Sequence, residues 1–362
     1  MFNGPVFEEH MNLRVIVLAL PLLACGGTRM EEATVTRATP LAAAAERAAA
    51  TITAVDLGAR IGFLASDALR GRDTPSAGLE AAAAYIASEF ATMGLQPAGD
   101  SGSFLQRYPF VTTPEDSETP VEHRPPNVVA ILRGGDPALR DSYVVFSAHM
   151  DHVGVGAPDA LGDSIYNGAD DDASGTATVV ELAEAFAALA LRPARSLIFL
   201  TVSGEEKGLL GSAWFADNPP VPAEQIVANI NIDMIGRNWP DTVAAIGLGF
   251  SSLGPLALQT ARQHPELGIT VVDDVWPGER FFFRSDHFNF ARKEIPAIFF
   301  FTGTHEDYHR PSDHADRIDT EKTARIARLL FHLGHAIATN PQPPEWSEEG
   351  LRQVRELTRS PN

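Results

Sequence analysis

SAHMDHVGVGAPDALGDSIYNGADDDASG, residues 147–175, lies between two strongly apolar runs, and its reading decides the fold. The run before it, Tyr143-Val-Val-Phe-Ser-Ala148, has the unbroken apolarity of a strand buried on both faces, and it ends in His149-Met-Asp151. After a glycine-bearing loop, Asn167-Gly-Ala-Asp170-Asp171-Asp172 leads straight into a helical pattern over 173–191. One aspartate at a helix start reads as a solvated N-cap, favoured there by the helix dipole. Three in a row repel one another. Beside a His-x-Asp at the end of a buried strand they read as cation ligands, because a metal ion turns that repulsion into ligation.

Working outward, strands are expected at 127–132, 196–203, 226–233, 242–246, 269–272 and 296–301, with an alternating strand at 104–111. Helical spacing covers 57–69, 77–93, 209–218, 252–264, 285–293 and 320–338. This alternation predicts an α/β fold: a single three-layer domain with a largely parallel mixed sheet between helices. In open α/β sheets functional groups collect beyond the carboxyl ends of the strands. The residues that follow the expected strands are His149 and Asp151, then Gly204-Glu205-Glu206, then Asp233, then Thr304-His305-Glu306-Asp307-Tyr308-His309. A solvated acidic edge would account for the carboxylates. It would not account for their place directly after the most apolar runs in the chain.

Six motifs in order, Ala148-His149-Met-Asp151, Gly168-Ala-Asp-Asp171-Asp-Ala-Ser-Gly175, Ser203-Gly-Glu205-Glu206, Asn231-Ile-Asp233-Met, Ser285-Asp-His287 and Tyr308-His309, resemble the zinc-dependent exopeptidase family of bacterial leucyl aminopeptidases, glutamate carboxypeptidase and the transferrin receptor. Each motif alone is weak, and together they are specific. The resemblance spans 57–338 and implies a zinc aminopeptidase-like domain with two Zn²⁺ ions. It makes Asp171 the bridging carboxylate, with His149 and Asp233 completing one ion and Glu206 and His309 the other. Two ions about 3.5–4 Å apart would polarise a scissile carbonyl and acidify a shared water. Glu205 is then the general base, Tyr308 a donor to the oxyanion, and Asp151 the partner that fixes the His149 tautomer. The resemblance also implies a cis peptide bond between Asp171 and Asp172. All five ligands lost in the receptor branch are present here. The segment 112–126 has no room for the protease-associated domain that some members insert.

His305-Glu306-Asp-Tyr-His309 is formally an H-E-x-x-H motif, which on a helix would mean a single-zinc protease. Gly303 before it and Pro311 after it leave barely one turn, so that helix is not expected. His152 reads as a hydrogen-bonded pocket histidine rather than an extra ligand, and His264, His332 and His335 as structural residues of helices away from the strand ends. Trp276 and the run 281–283 would line an apolar pocket or belong to the core.

The 362 residues are 44% hydrophobic, enough for a sizeable core, and the net charge of −19 argues against nucleic acid as a partner. Met11-Asn-Leu-Arg14 followed by an apolar run to Leu23 has the form of a secretory signal, too short to span a bilayer, with translation expected to start at Met11. Leu22-Leu-Ala-Cys25-Gly-Gly resembles the lipobox of bacterial lipoproteins, and Cys25 is the sole cysteine. The expected organisation is a signal peptide with lipobox at 1–25, a tether at 26–50, a di-zinc peptidase domain at 51–340 and a tail or short helix at 341–362. The expected function is a metallo-aminopeptidase acting on peptides, exported and tied to the bacterial envelope through a lipid on Cys25. The alternatives are a single-zinc glutaminyl cyclase, a carboxypeptidase that would need Arg237, Arg280 or Arg284 for a terminal carboxylate, and a non-enzymatic surface lipoprotein.

Overall fold

Strands whose residues are almost all buried occupy the middle of the sheet: β1 Pro126–Leu132, β2 Tyr143–His149, β3 Ser196–Val202 and β4 Ile226–Ile232. β5 Thr242–Ile246, β6 Thr270–Val272 and β7 Ala297–Phe301 complete one side. In this computed structural model, which describes residues 40–113 and 119–359, they pair in the order β1-β3-β2-β4-β7-β5-β6. Strands β3, β2, β4 and β7 are mutually parallel. β1 joins them antiparallel through β3 and β5 antiparallel through β7, so the sheet is mixed as expected. The four parallel strands put their carboxyl ends on one edge.

Alternation along each strand sorts the core into two layers. Val144 and Phe146 of β2, with Leu197 and Phe199 of β3, face one apolar cluster; Val145, Ile198 and Leu200 face the other. The first layer is roofed by α2 Ala54–Leu64, α3 Ala77–Thr92, α4 Gly175–Ala187, α6 Leu253–Gln263 and α8 Thr320–Thr339. The second is covered by α5 Leu210–Asp217, α7 His287–Ala291 and α9 Glu348–Arg359, through Phe215, Phe290 and Val354. Helix starts follow capping chemistry: the side chains of Thr53, Ser76 and Asp319 accept the N–H groups of Asp56, Leu79 and Lys322.

Three expectations need correction. The helix expected over 57–69 stops at Leu64, and the chain turns through left-handed Arg70, Gly71 and Arg72. The strand expected over 104–111 is two pieces: Leu105–Arg107 pairs with β1, while Phe110–Thr112 forms a hairpin with Val121–His123. Pro109 lacks a ladder donor, and buried Tyr108 leaves the line to hydrogen-bond Ser203. The ordered fold also begins before Thr51, because helix α1 Pro40–Ala49 buries Ala45, Ala48 and Ala49 against the first layer. The signal, Cys25 and the tether up to 39 lie outside the described residues.

Candidate metal centre

β2 delivers His149 to the sheet edge, and β4 delivers Asp233 beside it. His149 Nε2 is 3.2 Å from Asp171 Oδ1 and 3.6 Å from Asp233 Oδ1. On the other side of the same carboxylate, Asp171 Oδ2 is 3.0 Å from His309 Nε2, which in turn is 3.1 Å from Glu206 Oε2. The middle aspartate therefore turns one oxygen to each of two donor sets.

Its neighbours do other work. Asp172 accepts the backbone N–H groups of His149, Met234 and Gly175, so its oxygens are spent on tying β2, β4 and α4 together. Asp170 accepts Gly236 N–H at 2.6 Å and lies 3.2 Å from His305 Nε2. Of three aspartates grouped in the sequence as a cation site, Asp171 serves both donor sets, Asp170 braces them, and Asp172, within 4.8 Å of the His149 and Asp233 donor atoms, has both oxygens engaged by main-chain N–H groups. The peptide bond between Asp171 and Asp172 is cis.

The donor set fits a metal. His309 Nε2, Asp171 Oδ2 and Glu206 Oε1 are buried without any hydrogen-bond partner, an arrangement that costs about 1–3 kcal/mol per group unless something else is bound between them. Histidine nitrogens and carboxylate oxygens are the donors zinc takes. Burial pushes Asp171 up, yet His152, His149 and His309 around it hold its carboxyl well below the usual range. Burial drives neighbouring Glu205 the opposite way, well above the usual range.

Glu205 follows β3, contacts neither histidine of a donor set in an ion pair, and lines a small cleft of about 40 Å³ with His149, Asp171, Asp233 and Tyr308. Its backbone N–H donates to Asp151 Oδ1 at 3.3 Å. The Asp151 carboxylate also accepts the Thr74 hydroxyl, and it stands 3.8 Å from His149 Nδ1. His149 Nδ1 instead meets the main-chain carbonyl of Asp151 at 3.2 Å, so residue 151 reaches the ligand through its backbone. Tyr308 stacks on His309 with ring centroids 4.0 Å apart, and burial raises its phenol. Residues 305–309 form a turn, and exposed Glu306 lies 3.5 Å from Arg237, away from the centre.

Several contributors were not apparent from sequence. Ser147 donates to Asn231, Asn231 to Ser285 and Ser285 to Asp233 Oδ2 at 2.7 Å, a buried chain that aims Asp233. Asp313 accepts the N–H groups of Asp170 and Asp171. Fully buried Arg72 donates to the carbonyls of Leu64, Met150, Asn167 and Gly168, tying together the two loops that carry the ligands. Burial lowers its guanidinium to about 10. Asn231 and Ser285, in the fourth and fifth of the six motifs, had a sequence signal.

A parallel-centred sheet with histidine and carboxylate donors converging on its carboxyl edge defines a class, the zinc-dependent hydrolases. The model of Peptidase family M28 matches residues 127–334, and the chain belongs to that family. A probable zinc metalloprotease of Pyricularia oryzae is 27% identical over 324 residues, covering 78% of this chain and 62% of the relative. Leupeptin-inactivating enzyme 1 of Streptomyces exfoliatus is 31% identical over 194 residues, 53% of this chain and 38% of its own length. The chain thus spans less than two thirds of both relatives. Among solved structures, the aminopeptidase from Aneurinibacillus sp. strain AM-1 superposes with a TM-score of 0.62 at 16% identity, covering 84% of this chain and 97% of that one. Porphyromonas gingivalis glutaminyl cyclase gives 0.57 at 18%, covering 78% and 97%. These two likenesses establish the fold.

Proposed function

We propose that the protein is an aminopeptidase that holds two zinc ions across Asp171 and hydrolyses the N-terminal bond of peptides. The observation that carries this reading is the split of the Asp171 carboxylate, Oδ1 toward His149 and Oδ2 toward His309. His149 and Asp233 would hold one ion, Glu206 and His309 the other. When bound, the ions polarise the scissile carbonyl and acidify the attacking water. Glu205, close to both donor sets but paired with neither histidine, takes the proton from that water and passes it to the leaving amine. The Tyr308 hydroxyl donates to the oxyanion.

The cleft supports a substrate class. Met234, Phe281, Phe299 and Phe301 form its apolar wall, and Trp276 packs edge-on against Phe281 and Phe301. An apolar first residue would pack its side chain against this wall, each methylene removed from water contributing about 0.8 kcal/mol. A carboxypeptidase needs a free cation for the terminal carboxylate. Arg237 is engaged by Asp307 and Arg280 lies over Phe283; Arg284 lines the cleft but bonds Glu279. A glutaminyl cyclase would leave one of the two donor sets without a role.

Leucyl and phenylalanyl amides are expected to be cleaved faster than alanyl or glutamyl amides by roughly tenfold, the selectivity one apolar pocket supplies. N-acetylated peptides should be inert. Release of C-terminal residues from blocked peptides, or ring closure of N-terminal glutaminyl peptides without amide hydrolysis, contradicts the assignment.

A further inference from the structure

His152 was expected to be a hydrogen-bonded pocket residue. It is fully buried, and neither ring nitrogen has a hydrogen-bond partner. Its Nδ1 lies 2.9 Å from Glu206 Oε1 and 3.6 Å from Asp171 Oδ2, with the ring edge-on to His309. The short contact to Glu206 is not aligned as a hydrogen bond, since both of its atoms are without a partner. One donor atom each from His152, Asp171, Glu206 and His309 falls within 4.8 Å of the others. Donors on a tetrahedral zinc ion with bonds of about 2.0–2.1 Å stand roughly 3.3 Å apart. The contacts of 2.9 Å to Glu206 Oε1, 3.1 Å to Glu206 Oε2, and 3.0 and 3.6 Å to Asp171 Oδ2 lie on both sides of that value.

The ring is held in this place by the backbone. Gly168 has φ 60°, and a Cβ there would come within 2.5 Å of His152 Cγ, so the ring packs against a residue that must be glycine.

We propose that His152 is a fourth protein ligand of the ion held by Asp171, Glu206 and His309, so that this ion is fully ligated by protein while the ion of His149 and Asp233 keeps an open position. The inference rests on the two-ion reading above. Four protein donors characterise a closed zinc site, three an open one. The cleft is lined by His149, Asp171, Asp233 and Glu205, while half-buried Glu206 and His309, whose side chain is 37% exposed, lie outside its lining. Substrate and water would then meet the enzyme on the His149 side, with the closed ion fixing the bridging carboxylate.

The test is stepwise metal release from the zinc-loaded enzyme into a chromophoric chelator, with wild type, His152→Ala and His152→Asn compared. Wild type is expected to give up one equivalent at least tenfold faster than the second. His152→Ala should release both at similar rates. In His152→Asn the amide N–H occupies the place of Nδ1, where it hydrogen-bonds Glu206 and supplies no nitrogen donor to zinc; it should behave like His152→Ala. Cobalt substitution gives a second readout, because loss of a nitrogen donor from a four-coordinate ion shifts and alters its visible absorption in both variants. Release of both ions together from wild type, an unchanged slow step in His152→Ala, or wild-type behaviour of His152→Asn would each overturn the proposal, the last by making His152 a positioning residue. Uptake of a single ion would refute the two-ion reading separately. In that case, weaker retention of the ion in His152→Asn still supports ligation, and unchanged retention overturns it.

Discussion

Asp170, Asp171 and Asp172 are chemically identical, and the backbone alone assigns their tasks. Two accept main-chain N–H groups from β4, α4 and the strand end, which leaves Asp171 as the carboxylate free to ligate. Side-chain type in the sequence marked the cluster; hydrogen-bond direction, which separates a brace from a ligand, has no sequence signature. The same holds for Glu205 and Glu306, both in turns that follow buried strands. Glu205→Gln keeps the shape and the donor sets but removes the proton acceptor, so kcat should fall about a hundredfold or more with bound metal unchanged. Exposed Glu306→Gln should change kcat by less than about twofold, since surface substitutions away from the chemistry are near neutral. Steady-state rates on the two variants decide it, and the reverse pattern would make the H-E-x-x-H reading right.

At the scale of elements, packing is close where α8 crosses β2. A Cβ on Gly334 would sit 2.2 Å from Phe146 Cζ, and the Phe146 ring is already enclosed by Phe186 and Phe199. Alanine favours a helix over glycine by about 0.8–1.0 kcal/mol, whereas forcing a methyl into a filled core costs about 1–3 kcal/mol. The clash should win. Gly334→Ala is expected to lower the urea midpoint with an unchanged m-value; a rise in the midpoint would show that α8 can move away. The long strands were legible because they are apolar on both faces, and α3 and α8 because their spacing and caps agree. What escaped was held by distant partners. Arg72 works by donating to four carbonyls from loops up to 96 residues away, and carbonyl acceptors leave no trace in side-chain pattern. The break at Tyr108-Pro109 was masked by an alternation that continues across it, and the alanine-rich α1 was merged with the tether before it.

On the scale of the whole molecule, four parallel strands end on one edge, and each strand end carries a part of the site: His149 from β2, Glu205 and Glu206 from β3, Asp233 from β4 and His309 from the turn after β7. Placing them needs the whole sheet, which is why no short segment is expected to bind metal alone. Among the described residues no helix is long and apolar enough to cross a membrane. Attachment to a membrane is proposed through a lipid on Cys25, ahead of the described fold. Cys25→Ala should move the protein from the membrane fraction to the soluble one with specific activity retained, and continued pelleting would dismiss the lipid.

Bridging by Asp171 is tested most directly by the metal content of purified protein, measured by mass spectrometry for wild type and Asp171→Asn side by side. A carboxylate shared by both ions predicts two zinc equivalents in wild type and a fall toward zero in the variant, because neutralising the bridge weakens both donor sets together. One equivalent in wild type, unaffected by Asp171→Asn, would contradict it.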